Sequence, residues 1–101
     1  MIEQHLLEKQ PEIALLCKEY GIRRLRVFGS AANGEFNIAT SDYDFLVDWE
    51  QDQSHPTLRW LMLRDKLVSI LGRSVDLVDD TNIRNPYFAI AARSEAVPFY
   101  G

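Results

Sequence analysis

Cysteine is nearly absent from this chain. Cys17 is the only one, so no disulfide can form within it. It falls on an expected helix beside Leu15, Leu16 and Tyr20, where the residue reads as a packed thiol rather than a nucleophile. Positive charge is short as well: 11 Lys and Arg stand against 15 Asp and Glu, for a net charge of −4. A dedicated nucleic-acid binder carries a basic stripe, so direct nucleic-acid binding is not expected. The arginines are scattered, except for Arg23-Arg24-Arg26. That cluster reads either as a solvated approach to a strand or as a contact for phosphates or a partner. No apolar run is long enough to cross a bilayer. Met1-Ile2-Glu3-Gln4-His5 lacks the basic stretch and apolar core of a secretory signal. The expectation is a cytoplasmic protein without membrane attachment. With 101 residues, 47% of them apolar, the chain predicts one domain over 1–101 with a modest core and no room for a separate substrate domain.

Glycine and proline are few, and they punctuate the chain. Apolar residues recur at helical spacing from Ile2 to Leu7 and from Ile13 to Tyr20, with Pro11 suited to a first helical turn and Gly21 to the stop. Arg24 to Phe28 reads as a short strand. Tyr43, Phe45, Val47 and Trp49 alternate with Asp42, Asp44, Leu46 and Asp48, the signature of a half-buried strand. Gln51 to Ser54 reads as a loop. A helix is expected from Pro56 to Leu71, closed by Gly72. It carries two apolar stripes: Leu58, Leu61, Met62, Val68 and Leu71 on one, Trp60, Leu63, Leu67 and Ile70 on the other. Such a helix is either deeply buried or shares one face with a partner, which leaves a homo- or hetero-oligomer open. Ser74 to Val78 reads as a strand, Asp79 to Asn85 as a turn, Pro86 to Arg93 as a helix, and Val97 to Tyr100 as an edge strand that tolerates Pro98. The expected fold is α/β (α+β), a small mixed β-sheet with helices packed on one face.

The chemistry concentrates in Phe28-Gly29-Ser30 and Ser41-Asp42-Tyr43-Asp44. A Gly-Ser turn at a helix start lets a phosphate approach the backbone and its free N–H groups. Asp42 and Asp44, two apart on a strand, project from the same sheet face. If Val75 and Leu77 face the helices, Asp76 shares that opposite face. Three close carboxylates repel and raise one another's pKa, a cost that divalent cations remove. Asp48 lies on the same face but further along, and reads as solvated. A structural alternative pairs Asp76 with Arg73 or Arg24 to hold the sheet edge.

Gly29-Ser30, Asp42-x-Asp44 and Val75-Asp76-Leu77-Val78 together resemble the minimal nucleotidyltransferases of the DNA polymerase beta-like superfamily. The likeness runs over nearly the whole chain, and its size resembles the stand-alone antitoxins encoded beside a HEPN-domain ribonuclease toxin. The resemblance implies the nucleotidyltransferase (polymerase beta palm-like) fold. It also implies transfer of AMP from ATP to a tyrosine hydroxyl of the toxin, with two Mg²⁺ ions. Carried over by position, Asp42 and Asp44 bind both ions. Asp76 binds the catalytic ion and helps activate the acceptor, while Gly29 and Ser30 hold the β- and γ-phosphates. Two departures stand out. The loop from Ser30 to Asp42 is one residue longer than the commonest spacing, and Asn33 occupies a position where many relatives have arginine. Arg23, Arg26 and Arg73 are the cations available to make up for it.

Two functions from different classes follow. One is the Mg²⁺-dependent nucleotidyltransferase; the other is an antitoxin that neutralises its partner by binding alone, using the two-faced helix around Trp60 and the aromatic end at Phe99-Tyr100. Intact carboxylates at 42, 44 and 76 favour chemistry, because a pure binder gains nothing from three unpaired acids on one face. An antibiotic-modifying enzyme is disfavoured, since the chain has no second domain to hold a drug.

Overall fold

The computed structural model describes residues 1–50 and 56–101, so the expected loop at Gln51 to Ser54 lies outside the described residues. Helices α1 (Gln4–Glu8) and α2 (Gln10–Tyr20) precede strand β1 (Ile22–Phe28). A four-residue helix, α3 (Ser30–Asn33), leads towards β2 (Tyr43–Trp49). Helix α4 (Pro56–Leu71), β3 (Val75–Asp79), α5 (Pro86–Glu95) and β4 (Val97–Tyr100) complete the chain. The local signals explain the boundaries. Pro11 sits in the first turn of α2, and Gly21 closes that helix in the left-handed region at φ 69°, which glycine adopts without steric cost. Asn85 caps α5 by accepting from the Tyr87 and Phe88 N–H groups, and Pro86 takes the first turn.

The sheet order is β3-β2-β1-β4. Strand β1 runs antiparallel to both neighbours, and β2 and β3 run parallel. A parallel pair needs a crossover connection, and α4 lies within it. Pro98 stands on the edge strand β4, where a missing donor does least harm.

One face of the sheet carries the main core. Leu25 and Val27 of β1, with Tyr43, Phe45 and Val47 of β2, meet Ile13 and Leu16 of α2 and Leu63 and Leu67 of α4. Of the two stripes expected on α4, the one through Leu63 and Leu67 is the buried one. Leu71, expected on the other stripe, is buried with them. Leu58, Leu61 and Met62 remain exposed at 54%, 44% and 46%.

The expected layering is met by α1, α2 and α4. Helix α5 adds a second, smaller cluster on the opposite face, where Ala92 packs with Phe28 and Leu46, flanked by Val78 and Ile83. Leu46 therefore interrupts the acidic side of β2 for a packing reason. Arg93 fixes this helix by donating to the Asp80 carboxylate at 2.7 Å and to its carbonyl at 2.8 Å. Arg26 reaches the same carboxylate at 3.0 Å.

Candidate active site

The end of β1 and the starts of β2 and β3 meet at one end of the sheet. Gly29 turns the chain into α3 with φ 72° and ψ −153°, a conformation that a side chain would strain. Space is short too: a Cβ there would collide with the Asp44 carboxylate Oδ2, which would have to shift. The first half of the motif is thus packed directly against the second. The Gly29 carbonyl accepts from the Ala32 and Asn33 N–H groups at 3.0 and 3.2 Å. The Ser30 side chain is half-buried, and among the described residues its hydroxyl has no hydrogen-bond partner.

Strand register does the rest. Phe28 stands opposite Asp44 across β1 and β2, and Asp44 stands opposite Asp76 across β2 and β3. Asp42 lies one residue before β2 and is exposed, as is Asp76. Burial, then the charges of Asp76 and Asp42, push the Asp44 carboxyl up to about 6 from its ordinary 3.8. Among the described residues no cation pairs with any of the three. Nor, among those residues, do three ligating side chains stand close enough to hold an ion unaided. The donors that are present, Asp44 and Asp76 in register, are hard oxygens of the kind that magnesium takes one or two of, completing its octahedron with phosphate oxygens and water.

The other expected residues fall elsewhere. Asp48 is neither free nor at the site: Arg24 lies 3.4 Å and Arg23 4.0 Å from its Oδ2. Arg26 is taken by Asp80. Asp76 therefore has neither Arg24 nor Arg73 as a partner, and the structural alternative of a sheet-edge ion pair fails. Arg73 instead donates to the Ser41 carbonyl at 2.9 Å and lies over the Phe36 ring, 5.0 Å from its centroid. That bond sets it beside the residue that precedes Asp42. Asn33, where an arginine was wanted, uses its side-chain oxygen to accept the Glu35 N–H at 2.9 Å. It is a turn-former, which suits the longer loop. Cys17 is buried, and burial pushes its thiol up to about 12, so it is inert as a nucleophile.

One contact at the site carries no local sequence signal. Tyr43, between the two aspartates, turns its side chain into the core, 1% exposed, and donates its hydroxyl to Glu3 at 2.5 Å. Burial and the Glu3 carboxylate both push the phenol up. Burial also acts to raise Glu3, but hydrogen bonds from Tyr43 and from the His5 and Leu6 N–H groups outweigh it and hold that carboxyl below its usual value.

Comparison with known proteins agrees with this fold. A nucleotidyltransferase domain family matches residues 12–98. A candidate protein adenylyltransferase of Methanocaldococcus jannaschii is 33% identical over 84 residues, 83% of this chain and 81% of that protein. The protein adenylyltransferase MntA of Thermococcus cleftensis is 37% identical over 70 residues, 69% of this chain and 68% of that one. A solved candidate minimal nucleotidyltransferase is 33% identical with a TM-score of 0.79, covering 97% of this chain and 96% of its own. The fold recurs in more distant structures. One is a toxin–antitoxin complex with AMP-PNP at 22% identity and TM-score 0.74, covering 91% of this chain and 73% of that one. Another is a tri-AMPylated Shewanella oneidensis HEPN toxin with its MNT antitoxin, at 19% identity and TM-score 0.69, covering 95% and 72%. A family match over most of the chain, with relatives above 30% identity along most of their own length, makes this protein a member of the nucleotidyltransferase domain family.

Proposed function

We propose that this chain transfers AMP from ATP to a tyrosine hydroxyl of a HEPN-domain toxin encoded beside it, and so neutralises that toxin. The observation that carries the reading is the junction of the motif's two halves: Gly29, bare of a side chain, lies against Asp44, and Asp44 stands in register with Asp76. Support also comes from relatives named as protein adenylyltransferases. The distant neighbours add an ATP analogue in one complex and an AMPylated toxin in another.

In this reading Gly29 and Ser30 hold the β- and γ-phosphates through backbone N–H groups and the Ser30 hydroxyl. Asp42 and Asp44 would hold two Mg²⁺ ions, and Asp76 would help hold the catalytic one. When bound, the ions neutralise phosphate charge and lower the pKa of the acceptor hydroxyl. Asp76 accepts a hydrogen bond from that hydroxyl and helps draw off its proton. The acceptor oxygen then bonds to the α-phosphorus as pyrophosphate leaves. Fixed positioning and electrostatics supply most of the acceleration.

The test is incubation of the protein with labelled ATP, Mg²⁺ and the co-encoded partner. Wild type is expected to label the partner, and Asp42→Asn is expected to abolish labelling while remaining folded. Undiminished labelling by Asp42→Asn and Asp44→Asn would remove the metal assignment. The binding-only reading has one observation in its favour, the exposed row Leu58, Leu61 and Met62 on α4. It predicts no labelling by wild type and full neutralisation by the carboxylate variants.

A further inference from the structure

Glu3 touches both halves of the motif from behind. Its backbone N–H donates to the Ala31 carbonyl of α3 at 2.9 Å, two residues beyond Gly29. Its carboxylate accepts the hydroxyl of Tyr43, the residue that separates Asp42 from Asp44. The same carboxylate is anchored by the His5 and Leu6 N–H groups at 2.9 and 3.0 Å, so α1 holds it in place. Tyr43 is held in turn by Phe36, stacked at 4.9 Å with an interplanar angle of 20°. Arg73 then ties the Phe36 ring to the Ser41 carbonyl.

These contacts are more than a core polar pair needs. A tyrosine hydroxyl is satisfied by any one acceptor. Here the acceptor's own backbone spans to the short helix after the Gly-Ser turn, so the two segments cannot shift independently. We infer that Glu3 is a positioning residue, which locks the Gly29-Ser30 turn to the Asp42–Asp44 strand start so that phosphates and carboxylates meet in one geometry. The inference deepens the proposed nucleotidyltransfer and rests on it for its catalytic consequence.

Two conservative variants test it. Tyr43→Phe keeps the ring and its stack on Phe36, and Glu3→Asp keeps the backbone bond to Ala31 and the helix cap while drawing the carboxylate back from the Tyr43 hydroxyl. Each is expected to lower kcat for AMP transfer about tenfold with the KM for Mg-ATP changed by less than about threefold, as misplacement near reacting atoms does. The double variant is expected to lose no more than either single one, because both break the same link. A second readout needs no nucleotide. Amide exchange at Ala32 and Asn33, whose N–H groups bond to Gly29, is expected to quicken about tenfold in both variants while Leu25 and Val27 keep their protection. Unchanged exchange at Ala32 and Asn33 would overturn the inference. So would additive kcat losses that merely follow a fall in Tm. A wild type that binds Mg-ATP but transfers nothing would contradict the proposed function alone, and amide exchange would then decide whether Glu3 holds the turn.

Discussion

Asp44 carries a cost that its neighbours impose. Its carboxyl is raised to about 6 in the folded chain against 3.8 ordinarily, so the folded state holds the proton more tightly than the unfolded one. Stability from this group is present below the ordinary value, declines as pH rises through the interval, and is fully lost above about 6. At neutral pH, without Mg²⁺, Asp44→Asn is therefore expected to raise Tm. The group is only partly buried, so solvent screening limits the gain to about 1 kcal/mol, or about 4–8 °C in a domain of this size. Near pH ~4 the gain should vanish, a comparison that two thermal melts provide. A lower Tm at neutral pH would mean that the carboxylate has a structural partner. Gly29→Ala acts on the same contact from the other side. It must strain a positive φ and push the Asp44 carboxylate away. We expect a loss of about 1–3 kcal/mol and, by calorimetry, at least about tenfold weaker Mg-ATP binding. Binding at wild-type strength would detach Gly29 from the phosphate role. Ser30→Ala separates affinity from stability, since its hydroxyl makes no bond among the described residues. Weaker nucleotide binding at unchanged Tm is expected, and the reverse would make Ser30 a plain structural residue.

The elements were legible wherever a local signal ended them. Pro11 and Gly21 bound α2, Pro56 and Gly72 bound α4, and the alternation of Tyr43, Phe45 and Val47 gave β2 its face. Face parity alone brought Asp42, Asp44 and Asp76 to one side, but alternation cannot give register. That Asp44 falls opposite Asp76 rather than one pair away is a fact of the β2–β3 ladder. The placement of α5 was not legible, because its buried residues, Ala89 and Ala92, are too small to mark a face. The bond between Glu3 and Tyr43 was not legible for a different reason: 40 residues separate them, and no spacing rule reaches that far. Nor could sequence show that Asp48 is claimed by Arg24. An element-scale check is the cap of α5. Asn85→Ala removes the acceptor of two N–H groups and is expected to cost about 1 kcal/mol, read as a Tm lower by about 4–8 °C, with nucleotide affinity unchanged. A loss of affinity would show that α5 shapes the site as well as covering Phe28.

At the scale of the molecule, the sheet divides its labour between two faces. One is packed by α1, α2 and α4 and supplies the stability. The other is half covered by α5; it pairs Arg24 and Arg26 with Asp48 and Asp80 and leaves Asp44 and Asp76 in register without a cation partner among the described residues. A domain this small has little core to spare, so charge repulsion left on an open face is a cost that a ligand is expected to relieve. The most direct measurement compares AMP transfer and nucleotide binding on one preparation of Asp76→Asn, with the proposed toxin partner as acceptor. A group that acts in the transition state changes the rate and spares ground-state binding. The account predicts Mg-ATP affinity close to wild type with no measurable transfer; transfer at the wild-type rate would contradict it.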